Sequence, residues 1–220
     1  MVNQIEQMLV EAWEKFCDYY DTKAPKYQES WQPKLKKEKD AKDSHWICWD
    51  EHDLVFHIGR FFYDILKEKK ESLFSNIEMH FEKPLVPNHF RDYVFETENC
   101  LDTLRTRLIE NGVLNAGHPE VDLIVVYDNR PYRFLLCAEV KCFRGYVRDP
   151  IQAINDDIKK LRAYRDCKIA QRVVFVLFDD YYWCNDKKTA KDIEKKLDEI
   201  RNENGIIVLF HTSEAKLENY

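Results

Sequence analysis

Glycine is scarce in this chain, five in 220 residues, and none stands in a glycine-rich turn of the kind that cradles nucleotide phosphates. There is no G-x-S-x-G elbow and no H-E-x-x-H, so serine-hydrolase and zincin chemistry have no motif to rest on. No internal repeat is visible. No apolar run approaches the roughly 18 residues of a membrane span, and Met1-Val2-Asn3-Gln4 opens no signal-peptide pattern. The expectation is a cytoplasmic protein with no membrane partner. Cys17, Cys48, Cys100, Cys137, Cys142, Cys167 and Cys184 form no C-x-x-C pair and no zinc-ribbon spacing. An odd number without a secretion signal predicts reduced, mostly buried thiols. Strand alternation would aim Cys137 and Cys142 at opposite faces, which leaves a redox pair there little support.

Aromatic residues, by contrast, make up 14% of the chain, which favours a dense ordered core over disorder. The length suits one well-buried α/β domain with an appended helical segment. Apolar residues from Ile5 to Tyr20 recur at helical spacing and predict a helix over 2–20. Residues 21–45, with Pro25, Pro33 and a charged run at Lys34–Asp43, read as a solvated connection. The expected division is 1–45, an N-terminal helix and charged connection, and 46–220, the core. A second helix is predicted from Trp46 or Asp50 to Lys69, with Glu51 near the middle of its apolar face, where a carboxylate needs a partner.

Further elements follow from the same periodicities. A strand is expected over Ile77–Phe81, broken by Lys83-Pro84, and Phe90–Phe95 is ambiguous. Helices are expected over Glu98–Asn111, Ile151–Arg165 and Lys187–Asn202, and buried strands over Arg172–Phe178 and Ile206–Phe210. One mixed sheet, antiparallel in its middle and flanked by helices, is the economical architecture.

The most informative stretch runs from His118 to Lys141. Two strongly apolar runs each carry charges that a buried strand normally excludes: Asp122 in the first, Glu139 and Lys141 in the second. Asp128-Asn129-Arg130-Pro131 between them is rich in turn formers. If the runs pair about a turn near Arg130 and Pro131, Asp122 and Glu139 fall opposite one another. Period-2 alternation puts Glu139 and Lys141 on one face and Val140 on the other. Two carboxylates and the main-chain carbonyl of Val140 offer the hard oxygens that Mg²⁺ prefers. A water activated by the metal could attack a phosphodiester, with Lys141 assisting.

Although the net charge is −6, the stretch Asn129–Arg172 carries a local excess of +6. Its cations, Arg144, Arg148, Lys159 and Arg162 among them, are candidates for holding a phosphate backbone.

A strand-borne Asp, then Glu-Val-Lys on the next strand, then a helix, resembles the PD-(D/E)XK nuclease superfamily, over roughly Glu51 to Phe178. The resemblance implies a restriction-endonuclease-like fold: a central mixed sheet flanked by helices, here with an N-terminal helical extension. It implies that Asp122 and Glu139 hold Mg²⁺, for which Mn²⁺ can substitute, and that Lys141 is the catalytic lysine. Glu51 corresponds to an acid that many members place on the helix before the sheet, a further candidate ligand. Gln152 resembles a glutamine that some exonuclease-like members carry. Two departures stand out. Glu120-Val121 separates Pro119 from Asp122, and Asp156 stands where an aromatic often follows the glutamine. The implied function is a Mg²⁺-dependent endonuclease acting on DNA rather than RNA, with a homodimer or a protein partner left open. The alternative is a non-catalytic module of the same fold that binds nucleic acid or a protein.

Overall fold

Five strands form one sheet whose spatial order is the order of the chain, β1 to β5. The computed structural model describes residues 2–31, 50–69, 76–86, 100–127, 134–203 and 205–212. The proposed turn at 128–131, the charged run at 34–43, the Trp46 helix start and Phe90–Phe95 lie outside these residues. The elements are α1 (Val2–Trp31), α2 (Glu51–Lys69), β1 (Ile77–Pro84), α3 (Cys100–Glu110), β2 (Glu120–Tyr127) and β3 (Leu136–Phe143). Then come α4 (Pro150–Asp166), β4 (Val173–Asp179), the short α5 (Tyr182–Asn185), α6 (Lys187–Arg201) and β5 (Ile206–Thr212).

β1, β2 and β3 run antiparallel, while β3, β4 and β5 run parallel. The sheet is therefore mixed as expected, but its antiparallel part lies on one side rather than in the middle. Connection length explains this: α4 and α6 are crossover helices, which return the chain to start a parallel neighbour. Strand alternation then sorts the side chains into two layers. Leu136, Ala138, Val140, Val174, Val176 and Phe178 join α1 and α2 in one apolar cluster. Cys137, Phe143, Val173, Phe175 and Leu177 join α3, α4 and α6 in the other. Cys137 and Cys142 accordingly pack against opposite clusters.

Two expected boundaries move and one element is added. α1 continues through Pro25 to Trp31, because a polar run has no apolar periodicity that would separate helix from loop. β1 runs past Lys83 to Pro84. Proline is tolerated at the end of an edge strand, where its missing N–H leaves no ladder bond unmade. The four-residue α5 had no apolar period to announce it; buried Asp179 at the end of β4 starts it by accepting the N–H groups of Tyr181 and Tyr182 at 3.0 and 2.8 Å. Elsewhere local signals hold. Asp149 caps α4 by accepting the Gln152 N–H, with Pro150 in the first turn, and Gly112 follows α3 at φ +69. Among the described residues Cys17, Cys100, Cys137, Cys142 and Cys167 stand outside any disulfide, two of them buried and three half-buried. No helix of the described residues is long and apolar enough to cross a membrane.

Candidate functional site

β2 and β3 pair directly from Leu123–Ala138 to Val125–Leu136. Past Ala138 a side chain takes over. The Val140 N–H donates to Asp122 Oδ2 at 2.6 Å, where a β2 carbonyl would otherwise accept it. One further step of the register sets Asp122 across from Glu139. Glu139 lies on the α4 side of the sheet, on the same strand parity as Cys137 and Phe143.

α4 supplies what the hairpin lacks. Glu139 is fully buried. Its Oε2 accepts from Lys160 Nζ at 2.6 Å and its Oε1 from the Tyr164 hydroxyl at 3.0 Å. Lys160 also meets Asp157 Oδ1 at 3.2 Å, and Asp157 Oδ2 lies 3.1 Å from Lys141 Nζ. Lys141 in turn meets Glu51 Oε1 at 3.0 Å. Glu51, the first residue of α2, also accepts the Cys142 N–H at 3.5 Å. Four carboxylates (Glu51, Asp122, Glu139, Asp157) and two ammonium groups (Lys141, Lys160) thus form one connected cluster.

The electrostatics follow from that crowding. Burial pushes the Asp122 carboxyl up to about 6, opposed by the Val140 N–H and by Lys160. Burial, reinforced by the neighbouring Asp122 charge, pushes Glu139 well above the usual carboxylate range. Burial alone would lower Lys160, but Glu139 and Asp157 outweigh it and hold the ammonium charged well above the ordinary lysine range. Lys141 is raised in the same way: Asp157 and Glu51 outweigh its burial. Burial, with Glu139 beside it, keeps the Tyr164 phenol protonated.

The expected site residues divide. Asp122, Glu139, Lys141 and Glu51 come together, although Glu51 is 39% exposed at the helix start rather than in the middle of a core face, and its partner is Lys141. Gln152 does not join them. It is exposed on the first turn of α4, and its amide donates to Asp156 Oδ1 at 2.8 Å. The local basic excess is partly answered by acids from outside the stretch: Arg144 meets Asp180 and Arg162 meets Glu203, while Lys159 meets Asp156 within it. Arg148 is exposed. A charge count along a window cannot see carboxylates that folding brings in from β4 or the end of α6. Asp157, Lys160 and Tyr164 carried no role in the sequence reading. Their signal was present: at spacings of three and four they interrupt the apolar stripe Ile154, Ile158, Leu161 of α4.

Among the described residues, no three His, Cys, Asp or Glu side chains stand at metal-ligand geometry; the two ammonium groups are interleaved with the carboxylates. The donor chemistry nevertheless fits a hard divalent cation. The set is all oxygen, and fully ionised it carries two more negative than positive charges. In a strand the Val140 carbonyl points the same way as its own N–H, toward Asp122. Asp157 Oδ2 is buried without a hydrogen bond, its contact with Lys141 being one of charge. Beside the cluster opens a cleft of about 320 Å³ lined by Glu51, His52, Cys142, Arg144 and Tyr146, among others.

Fold and site together define an α/β protein with a mixed sheet and a buried carboxylate–lysine cluster at the fraying end of its central hairpin. No family model, curated protein or solved structure matches the chain.

Proposed function

We propose that the chain is a metal-dependent nuclease of the restriction-endonuclease-like fold, cutting phosphodiester bonds in DNA as an endonuclease. One observation carries the reading: Asp122 and Glu139 stand across the hairpin where pairing stops, with Lys141 two residues on along the same strand face. Three antiparallel strands after α2, with α3 inserted between β1 and β2, followed by α4 and the parallel β4, support it.

Asp122 and Glu139 would hold Mg²⁺ or Mn²⁺, with the Val140 carbonyl as a third oxygen. Such an ion lowers the pKa of a bound water and neutralises phosphate charge. The chain's own residues do the rest. Asp122, fixed by the Val140 N–H, keeps its carboxylate at the mouth of the hairpin. Glu139 is oriented by Tyr164. Lys141, steadied by Glu51 and Asp157 on either side, presents a charged ammonium to the negative charge that builds on a pentacoordinate phosphate. Glu51 is thereby a positioning residue for Lys141.

The test is cleavage of plasmid and single-stranded DNA with Mg²⁺, Mn²⁺ or EDTA. Wild type is expected to cut only with the metals, and Lys141→Ala to lose at least about a hundredfold, the scale of a lost transition-state contact. Full activity in both Lys141→Ala and Glu139→Gln would remove this site from the reading. A second reading, a non-catalytic module that binds nucleic acid or a protein, is favoured by one observation: both lysines of the cluster are already engaged by carboxylates. It requires that no divalent ion bind at Asp122 and Glu139, which Mn²⁺ titration decides.

A further inference from the structure

Lys160 occupies an unusual position. Its Nζ lies 2.6 Å from Glu139 Oε2 and 3.2 Å from Asp157 Oδ1, and Asp122 is close enough to add to its charge stabilisation. An ammonium bridging two buried carboxylates, with a third nearby, does electrostatically what a small cation does. Its side chain is nevertheless 26% exposed, so it reaches the cluster from the rim of α4 on a flexible four-carbon stem and has solvent to return to. Asp157 is anchored differently. It is 5% exposed on the buried face of the helix. Its Oδ1 faces Lys160 at 3.2 Å, while its Oδ2, buried without a hydrogen bond, is held to Lys141 at 3.1 Å by charge alone. That second observation sets Asp157 apart from a merely acidic neighbour: a buried carboxylate with incomplete hydrogen bonding keeps electron-pair capacity inside the cluster, and its other oxygen is already turned to the place where Lys160 now sits.

We propose that Asp157 is a further ligand of the divalent cation, and that Lys160 is its resident stand-in, leaving for solvent when the cation arrives. The inference rests on the nuclease reading for the identity of the ion, Mg²⁺ or Mn²⁺. It goes beyond that reading in assigning a helix-borne ligand and an internal competitor. A cation taking Lys160's place meets the oxygens that Lys160 engages, Glu139 Oε2 and Asp157 Oδ1. Lys141 stays, because Glu51 still holds it. Exchange of one positive charge for two brings the ionised cluster closer to neutrality, which favours entry of the ion. Removal of the ammonium from two carboxylates opposes it. Affinity is thus held down by a residue of the protein itself.

The experiment is Mn²⁺ binding to the full chain by electron paramagnetic resonance and calorimetry, with wild type, Lys160→Met, Asp157→Asn and Glu139→Gln. Lys160→Met keeps the length of the stem and removes the charge. It is expected to bind Mn²⁺ at least about tenfold more tightly than wild type, and Asp157→Asn at least about tenfold more weakly, the scale of changes around a metal centre. A second measurement needs no variant. Reductive methylation of wild-type lysines, read by peptide mass spectrometry, is expected to modify Lys160 several-fold faster with Mn²⁺ than without. Unchanged affinity in Lys160→Met together with an unchanged methylation rate overturns the stand-in role. Unchanged affinity in Asp157→Asn overturns the ligand role. If Glu139→Gln abolishes Mn²⁺ binding while the other two variants match wild type, this inference fails and the nuclease reading survives. If all variants respond as expected but no DNA is cut, the nuclease reading fails alone.

Discussion

Burial lifts the Asp122 carboxyl from 3.8 to about 6, against the pull of the Val140 N–H and the Lys160 ammonium. Between those two values the folded chain keeps a proton that the unfolded chain has released, so stability falls as pH rises through the window. The contribution is complete below about 3.8 and lost above about 6, and amounts to on the order of 3 kcal/mol. Asp122→Asn, whose amide oxygen still accepts the Val140 N–H, is expected to melt close to wild type at pH 4 and above it at pH 7.5 without metal. Thermal melts across pH 4–8 check both ends. Glu139 demands a different substitution. Glu139→Ala removes the acceptor that the buried Tyr164 hydroxyl meets at 3.0 Å and is expected to cost about 1–3 kcal/mol. Glu139→Gln keeps the shape, and is the variant in which lost cleavage reports on chemistry; denaturant titration of both separates the two effects.

At the scale of elements, α4 is the piece on which the site most depends, since Asp157, Lys160 and Tyr164 all ride on it. Its start is set by Asp149, whose side chain accepts the Gln152 N–H at 2.9 Å. Asp149→Ala is expected to lower stability by about 1 kcal/mol, measurable as a reduced melting temperature with the cluster's chemistry unchanged. The helix was legible in the sequence, because its apolar residues recur at helical spacing; the cap was not assigned there. The hairpin was legible for the same kind of reason: Asp122, Glu139 and Lys141 interrupt runs that are otherwise apolar. The role of Gln152 was not. Position on the first turn cannot reveal that Asp156, one turn on, draws the amide away from the sheet. Nor could the partner of Glu139 be read. Glu-x-Lys suggests a pair along the strand, yet alternation keeps the two side chains parallel, and the cation that meets Glu139 comes from a helix 21 residues on.

Across the whole molecule, charge is balanced over distances that no sequence window samples. Glu6, Asp180 and Glu203 reach cations of the stretch that looked basic in isolation. DNA binding should therefore depend only weakly on salt. With Arg144, Lys159 and Arg162 engaged, a slope of log K against log salt no steeper than about −2 is expected, corresponding to about two phosphates neutralised. Fluorescence anisotropy between 50 and 200 mM salt, on the order used for such slopes, measures it; a steep slope would mean that the ion pairs open on binding. If the cluster binds a divalent ion only when folded, saturating Mn²⁺ should raise the melting temperature, by about 2.7 kcal/mol of stability at a hundredfold excess over Kd. That rise should vanish in Asp122→Asn. The hydrogen bond by which Asp122 replaces a strand gives the molecule its own reporter. The Val140 amide proton, whose nitrogen lies 2.6 Å from a carboxylate oxygen, is expected to resonate far downfield while Asp122 is ionised. As pH falls through about 6 it should move upfield, and its shift should respond again when a cation takes up the carboxylate. One backbone signal in a nitrogen-15 correlation spectrum would then record both protonation and metal occupancy, with no label placed in the site.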